Sequence, residues 1–204
     1  MRTLDLEEVR QQRSRLATIL RSVRLSPNAS VFIPPVAGAR LVDFEEIFSP
    51  AFFRAACGAA TDLRQNAILL GVVEPDPERY FHREFGSTAW YEFSCRDDGG
   101  DDYRRASHLG PGGSPADAVA FRGESVVVFA SDLRWLVLGD RGAEVALALF
   151  QDLEAQGAFA AHYPANRLFQ VAEGLRLLTD EGKGRFPTKA DRQRFADLYS
   201  GKSM

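Results

Sequence analysis

Two cysteines, three histidines and three lysines are all that this chain of 204 residues holds of those types. Cys57 and Cys95 alone are too few for a disulfide framework, and their spacing is not that of a Cys-x-x-Cys metal knuckle. His82, His108 and His162 form no HExxH or HxH pattern, so neither metal nor cofactor is expected. A GxSxG elbow and the kinase signatures are absent as well. Lysine is confined to Lys183, Lys189 and Lys202, and the remaining basic residues are 22 arginines scattered along the chain. That scatter reads as the usage of a GC-rich coding genome. With a net charge of −3, it argues against nucleic acid or an anionic membrane as a partner. No apolar run approaches the roughly 18 residues of a membrane helix, and MRTLDLEEVRQQRS lacks the apolar centre of a signal peptide. The expectation is a soluble, cytoplasmic, bacterial protein.

What is present is a core. Hydrophobic residues make up 45% of the chain, 15 of them Phe, and residues 1–204 are long enough to form a single domain around that core. Residues 4–24 carry Val9, Leu16, Leu20 and Val23 on one stripe, which predicts an N-terminal amphipathic helix within 1–24. A short strand is expected at Ser30–Ile33, halted by Pro34-Pro35. Ser49-Pro50, Asp76-Pro77 and Ser114-Pro115 each place a capping side chain before a proline suited to a first helical turn. Ala67–Val73 reads as an apolar strand. From Ser87 to Cys95 the residues alternate, Ala89, Tyr91, Phe93 and Cys95 against Trp90, Glu92 and Ser94.

The segment ESVVVFASDLRWLVLGDRGAEVALALF contains two strands apolar on both faces, Ser125–Ser131 and Arg134–Gly139, which belong inside a sheet covered twice. The run from Ala143 to Gln156 admits either a helix capped near Gly157 or a strand over 144–149 with a short helix behind it; the short turn before it favours the strand. Pro164–Leu178 predicts a helix, and Thr188 with Asp191 a capping box opening a last one, so that 164–200 form a helical pair. The fold class is α+β, a mixed or antiparallel central sheet with a C-terminal meander and helices packed on it.

RDDGGDD reads as a solvated loop whose carboxylates Asp97, Asp98, Asp101 and Asp102 form an acidic patch. Trp90 shares a strand face with Glu92 and Ser94 and is therefore expected to be partly exposed, an aromatic anchor for a protein partner. HLGPGGSP, from His108, reads as a stiff connector. Cys57, among alanines, reads as core, and Cys95 reads as a buried strand end, the alternative being a thiol whose pKa the neighbouring Arg96 lowers.

The block DAVAFRGESVVVFASDLRWLVLGDRGAEVALALF, Asp117 to Phe150, is similar to the sheet core of several immunity proteins of bacterial toxin systems. The resemblance implies a non-enzymatic protein that binds and blocks a toxin. On that reading Trp90 anchors, and Glu92, Asp97, Asp98, Asp101 and Asp102 meet a basic surface on the toxin. The alternative is a small-molecule binder or enzyme with a pocket between sheet and helices, where His82, Cys95, His108 and Arg141 are the residues to watch.

Overall fold

Strands with two apolar faces must be covered twice, and the computed structural model, which describes residues 1–33, 36–96, 99–180, 186 and 188–199, covers them twice. In chain order the elements are β1 (Arg2–Thr3), α1 (Leu6–Leu16), β2 (Gly38–Asp43), α2 (Pro50–Asp62), β3 (Ala67–Glu74), α3 (Arg83–Phe85), β4 (Trp90–Ser94), α4 (Gly100–His108) and α5 (Val119–Arg122). Then come β5 (Ser125–Ala130), β6 (Trp135–Asp140), β7 (Val145–Phe150), α6 (Leu153–His162), α7 (Val171–Asp180) and α8 (Lys189–Tyr199). The seven strands form one antiparallel sheet in the order β1-β4-β3-β5-β6-β7-β2, so the fold is α+β with helices packed on an antiparallel sheet. No helix among the described residues is long and apolar enough to cross a membrane.

The side-chain period of two divides each strand between two cores. Leu70, Val126, Val128, Trp135, Val137, Ala148 and Phe150 point toward α2, α4 and α6, where Phe52, Phe53, Tyr103 and Phe159 meet them. Leu69, Val127, Phe129, Leu136, Leu138, Leu147 and Leu149 point the other way, toward α1, α7 and α8, and meet Val9, Leu175 and Phe195. Each such Val, Leu or Phe, once fully buried, contributes about 1.5–3 kcal/mol.

The meander β5–β6–β7 forms as expected, with strand and then helix in the ambiguous run; α6 continues through Gly157 and ends at His162. Ser49 caps α2 by accepting from the Phe52 N–H at 3.0 Å. Thr188 Oγ1 likewise accepts from Asp191 N at 3.1 Å.

Several expectations need correction. The first helix ends at Leu16, not at residue 24: the Thr18 hydroxyl takes the Arg15 carbonyl at 2.7 Å and the chain turns. The strand over 30–33 shrinks to one bridge between Leu20 and Phe32, while Pro34 and Pro35 lie outside the described residues. The helix expected over 164–178 begins only at Val171, because Phe169 exchanges two backbone hydrogen bonds with Leu41 (2.9 and 3.0 Å) and is thereby held against β2. Of RDDGGDD, Asp101 and Asp102 are not loop but the first turn of α4, where carboxylates favour the helix dipole.

Asp152 caps α6, accepting from Ala155 N at 2.8 Å, and also receives a fork from Arg134, Nε and Nη2 each at 2.8 Å. The arginine chiefly holds this carboxyl below its ordinary value of 3.8. A carboxyl depressed in the folded state stabilises fully above its unfolded value and loses that contribution as pH falls through the lowered one. Arg134→Gln is therefore expected to shallow the acid limb of a melting-temperature profile between about pH 5 and pH 2. An acid limb of unchanged slope would count against this role.

Candidate functional site

The acidic corner is built by four parts of the chain. β1 lies along β4 with Arg2 opposite Glu92, and Arg2 clamps both Glu92 and Glu8. Hydrogen bonds donated to Glu8 and then to Glu92 strengthen the hold of Arg2 on its proton, and in return Arg2 keeps the Glu8 carboxyl below its usual range. The amino group of Met1 stands 3.7 Å from Asp102. Asp101 is exposed and makes no ion pair among the described residues, and Asp97 and Asp98 lie outside them. Glu92 is thus occupied within the fold, whereas Asp101 and Asp102, among the described residues of that patch, are exposed.

Trp90 is fully buried, contrary to the expected partial exposure. Its indole lies flat over Gly71, its cross-strand partner on β3, where any Cβ would collide with the ring. Its Nε1 donates to the Val72 carbonyl at 2.7 Å, and Phe129 meets it edge-on. The physical reason is coverage: Leu4 and Val9 close the near end of that strand face, whereas Glu92 and Ser94 lie beyond them.

A different aromatic group reaches the surface. α4 ends at His108, whose Nδ1 lies 3.2 Å from the Arg104 carbonyl and whose ring stands edge-on to Phe48 inside and Phe121 outside, centroids 6.4 and 5.9 Å away. Leu109 follows, 47% exposed, and Phe121 on α5 is 54% exposed. These stand at the C-terminal end of α4, whose outer face runs from Asp101 and Asp102 through the exposed Arg104 and Arg105 to His108. Sequence reading passed over Phe121 because a four-residue helix has no periodicity to betray an outward side chain.

The four residues of the expected pocket do not share one. His82 is exposed at the end of the turn before α3. Arg141 is structural, donating to the Gly123 and Ala120 carbonyls at the end of α5 and lying over the Phe44 ring at 4.8 Å. His108 belongs to the α4 face just described. Cys95 lines a cleft.

That cleft, of about 280 Å³, is made by one face of α2 carrying Phe53, Arg54, Cys57, Gly58, Thr61 and Asp62, with Cys95 and His162 opposite. The spacing of 54, 58 and 61–62 puts these groups one above another on the helix. His162 of α6 lies against Gly58, where a Cβ would come within 2.6 Å of the imidazole, and its Nε2 is 2.8 Å from Asp62 Oδ2. Cys95 is half-buried just past β4, pinned by its N–H to the Asn66 carbonyl at 2.8 Å, and Cys57 is buried behind it. Each thiol acts on the other: Cys95 chiefly raises the Cys57 thiol, and Cys57 lowers that of Cys95. Cys57, and not the neighbouring Arg96, is thus the first cause of the lowered Cys95. Among the described residues, no three His, Cys, Asp or Glu side chains gather where they could hold a metal ion. Neither family models, nor curated proteins, nor solved structures provide a match to this chain.

Proposed function

We propose that this chain acts by binding another protein, as an inhibitor of the immunity type that covers a toxin's working surface without chemistry of its own. The observation that carries the reading is the outer face of α4: Phe121 and Leu109 stand half-exposed around His108, with Arg104 and Arg105 exposed beside them and Asp101 and Asp102 at the opposite end. An aromatic anchor with a charged rim is the composition of a protein interface. The partner it fits has an apolar recess bordered by basic groups opposite Asp101 and Asp102 and acidic groups opposite Arg104 and Arg105, since charges of opposite sign would fix its register. Phe121 takes the anchoring role that Trp90, being buried, leaves open.

The test begins by co-expressing the protein with its neighbouring genes and isolating any stoichiometric companion. Phe121→Ser is then expected to weaken that complex at least tenfold, about 1.4 kcal/mol, while leaving the unfolding midpoint of the free protein unchanged. Asp101→Lys with Asp102→Lys is expected to slow association and flatten its salt dependence. A companion bound equally well by both variants, or the absence of any companion, would remove this reading.

A further inference from the structure

We propose that Cys57 and Cys95 form a reversible disulfide, made by thiol–disulfide exchange with a low-molecular-weight aliphatic disulfide of the glutathione class. Neither the fold nor the partner-binding face explains why the chain's only two cysteines, 38 positions apart in the sequence numbering, line one open cleft. Their exposures differ in the way such a reaction requires. Cys95 sits half-buried at the cleft mouth and Cys57 is enclosed on α2, so an incoming disulfide meets Cys95 first and Cys57 second. The mutual influence of the two thiols sets the same order, because Cys57 is raised and Cys95 lowered, so that Cys95 ionises more readily. Arg54, also on the cleft wall, offers a cation to the carboxylates that a glutathione-type molecule carries.

The exchange balances without any metal. The Cys95 thiolate attacks one sulfur of the small disulfide, forming a mixed disulfide and expelling one small thiolate, which takes up the proton Cys95 has released. The Cys57 thiol then loses its proton and attacks Cys95 Sγ, closing the protein disulfide and expelling the second small thiolate, which takes up that proton. The protein is oxidised by two electrons, and one small disulfide becomes two small thiols. Closure would tie α2 to the end of β4, two elements on which the sheet and its helical cover already meet.

The full-length protein would be incubated under native conditions with oxidised glutathione and weighed intact, with and without a later dithiothreitol step. The expected result is loss of the mass of two hydrogens with no adduct, restored by dithiothreitol. Cys57→Ser is expected to stop at a single glutathione adduct on Cys95, and Cys95→Ser to resist modification unless unfolded by guanidinium. If the serine at 57 unsettles the helix, Cys57→Ala serves in its place, and the wild-type mass stands independently of either. Wild-type protein that keeps both thiols, or that carries glutathione without closing, would overturn the proposal. So would modification that proceeds at Cys57 before Cys95.

Discussion

Trp90→Ala is expected to lower the unfolding free energy by about 3–5 kcal/mol, the cost of emptying a large aromatic site in a core. The indole has no exposed surface, so its whole contact area is lost, and Gly71 beneath it has no side chain with which to fill the space. The Val72 carbonyl also loses the indole N–H. Trp90→Phe separates these two effects, and Trp135 provides the control. Both tryptophans are fully buried, but Trp135 Nε1 has no partner among the described residues. Removing a bonded donor leaves a carbonyl wanting, at about 1–3 kcal/mol, whereas removing an unbonded one relieves a group already unsatisfied. Equilibrium denaturation should therefore rank Trp90→Phe as the more damaging change. Equal losses would show that the hydrogen bond to Val72 is not what holds the ring. The complementary change, Gly71→Ala, is expected to cost about 1–3 kcal/mol by pushing a methyl group into the indole.

Asp140→Ala is the second large effect, expected at about 3–6 kcal/mol from two backbone hydrogen bonds to a charged acceptor. Its carboxylate is 3% exposed at the end of β6 and gathers the Leu25 N–H at 2.8 Å, the Ala143 N–H at 3.3 Å and the Arg24 guanidinium at 3.4 Å. Arg24 also pairs with Glu74 and Glu124, so it does not lose all its partners. The two backbone N–H groups do lose theirs. Asp140→Asn retains an oxygen acceptor and is expected to recover part of the loss in the same denaturation experiment. If asparagine were as damaging as alanine, the negative charge and not the acceptor geometry would be what residues 24–25 need.

What the sequence disclosed follows the range of the forces involved. Caps are local, so Ser49-Pro50 and Thr188 with Asp191 could be read directly, and the doubly apolar strands β5 and β6 required cover on both sides. β2 was not legible: GARLVD carries small and charged residues, and it becomes a strand by pairing along its whole length with β7, far away in sequence. β1, at two residues, has no pattern to read. Trp90 was assigned to the correct face, but its burial depends on Leu4 and Val9, which alternation along one strand cannot report. The same holds for the site. Cys57 reads as core and Cys95 as a strand end, both correct locally, while their meeting is set by the docking of α2 on the end of β4. Phe121 escaped notice for the opposite reason, since it is the lack of a covering neighbour that gives it significance.

The strand order has a bearing on how the molecule is made. Both outermost strands, β1 and β2, come from the beginning of the chain, yet they flank strands synthesised much later. During translation Arg2 waits for Glu92, and Asp43 for Val145. Until then the emerging N-terminal segment has no sheet to join, and the meander β5–β6–β7 must assemble before its last neighbour can dock. Such non-local pairing slows folding and leaves strand edges open in the interim. The nascent chain therefore depends most on protection from aggregation between the appearance of its second strand and the completion of its seventh.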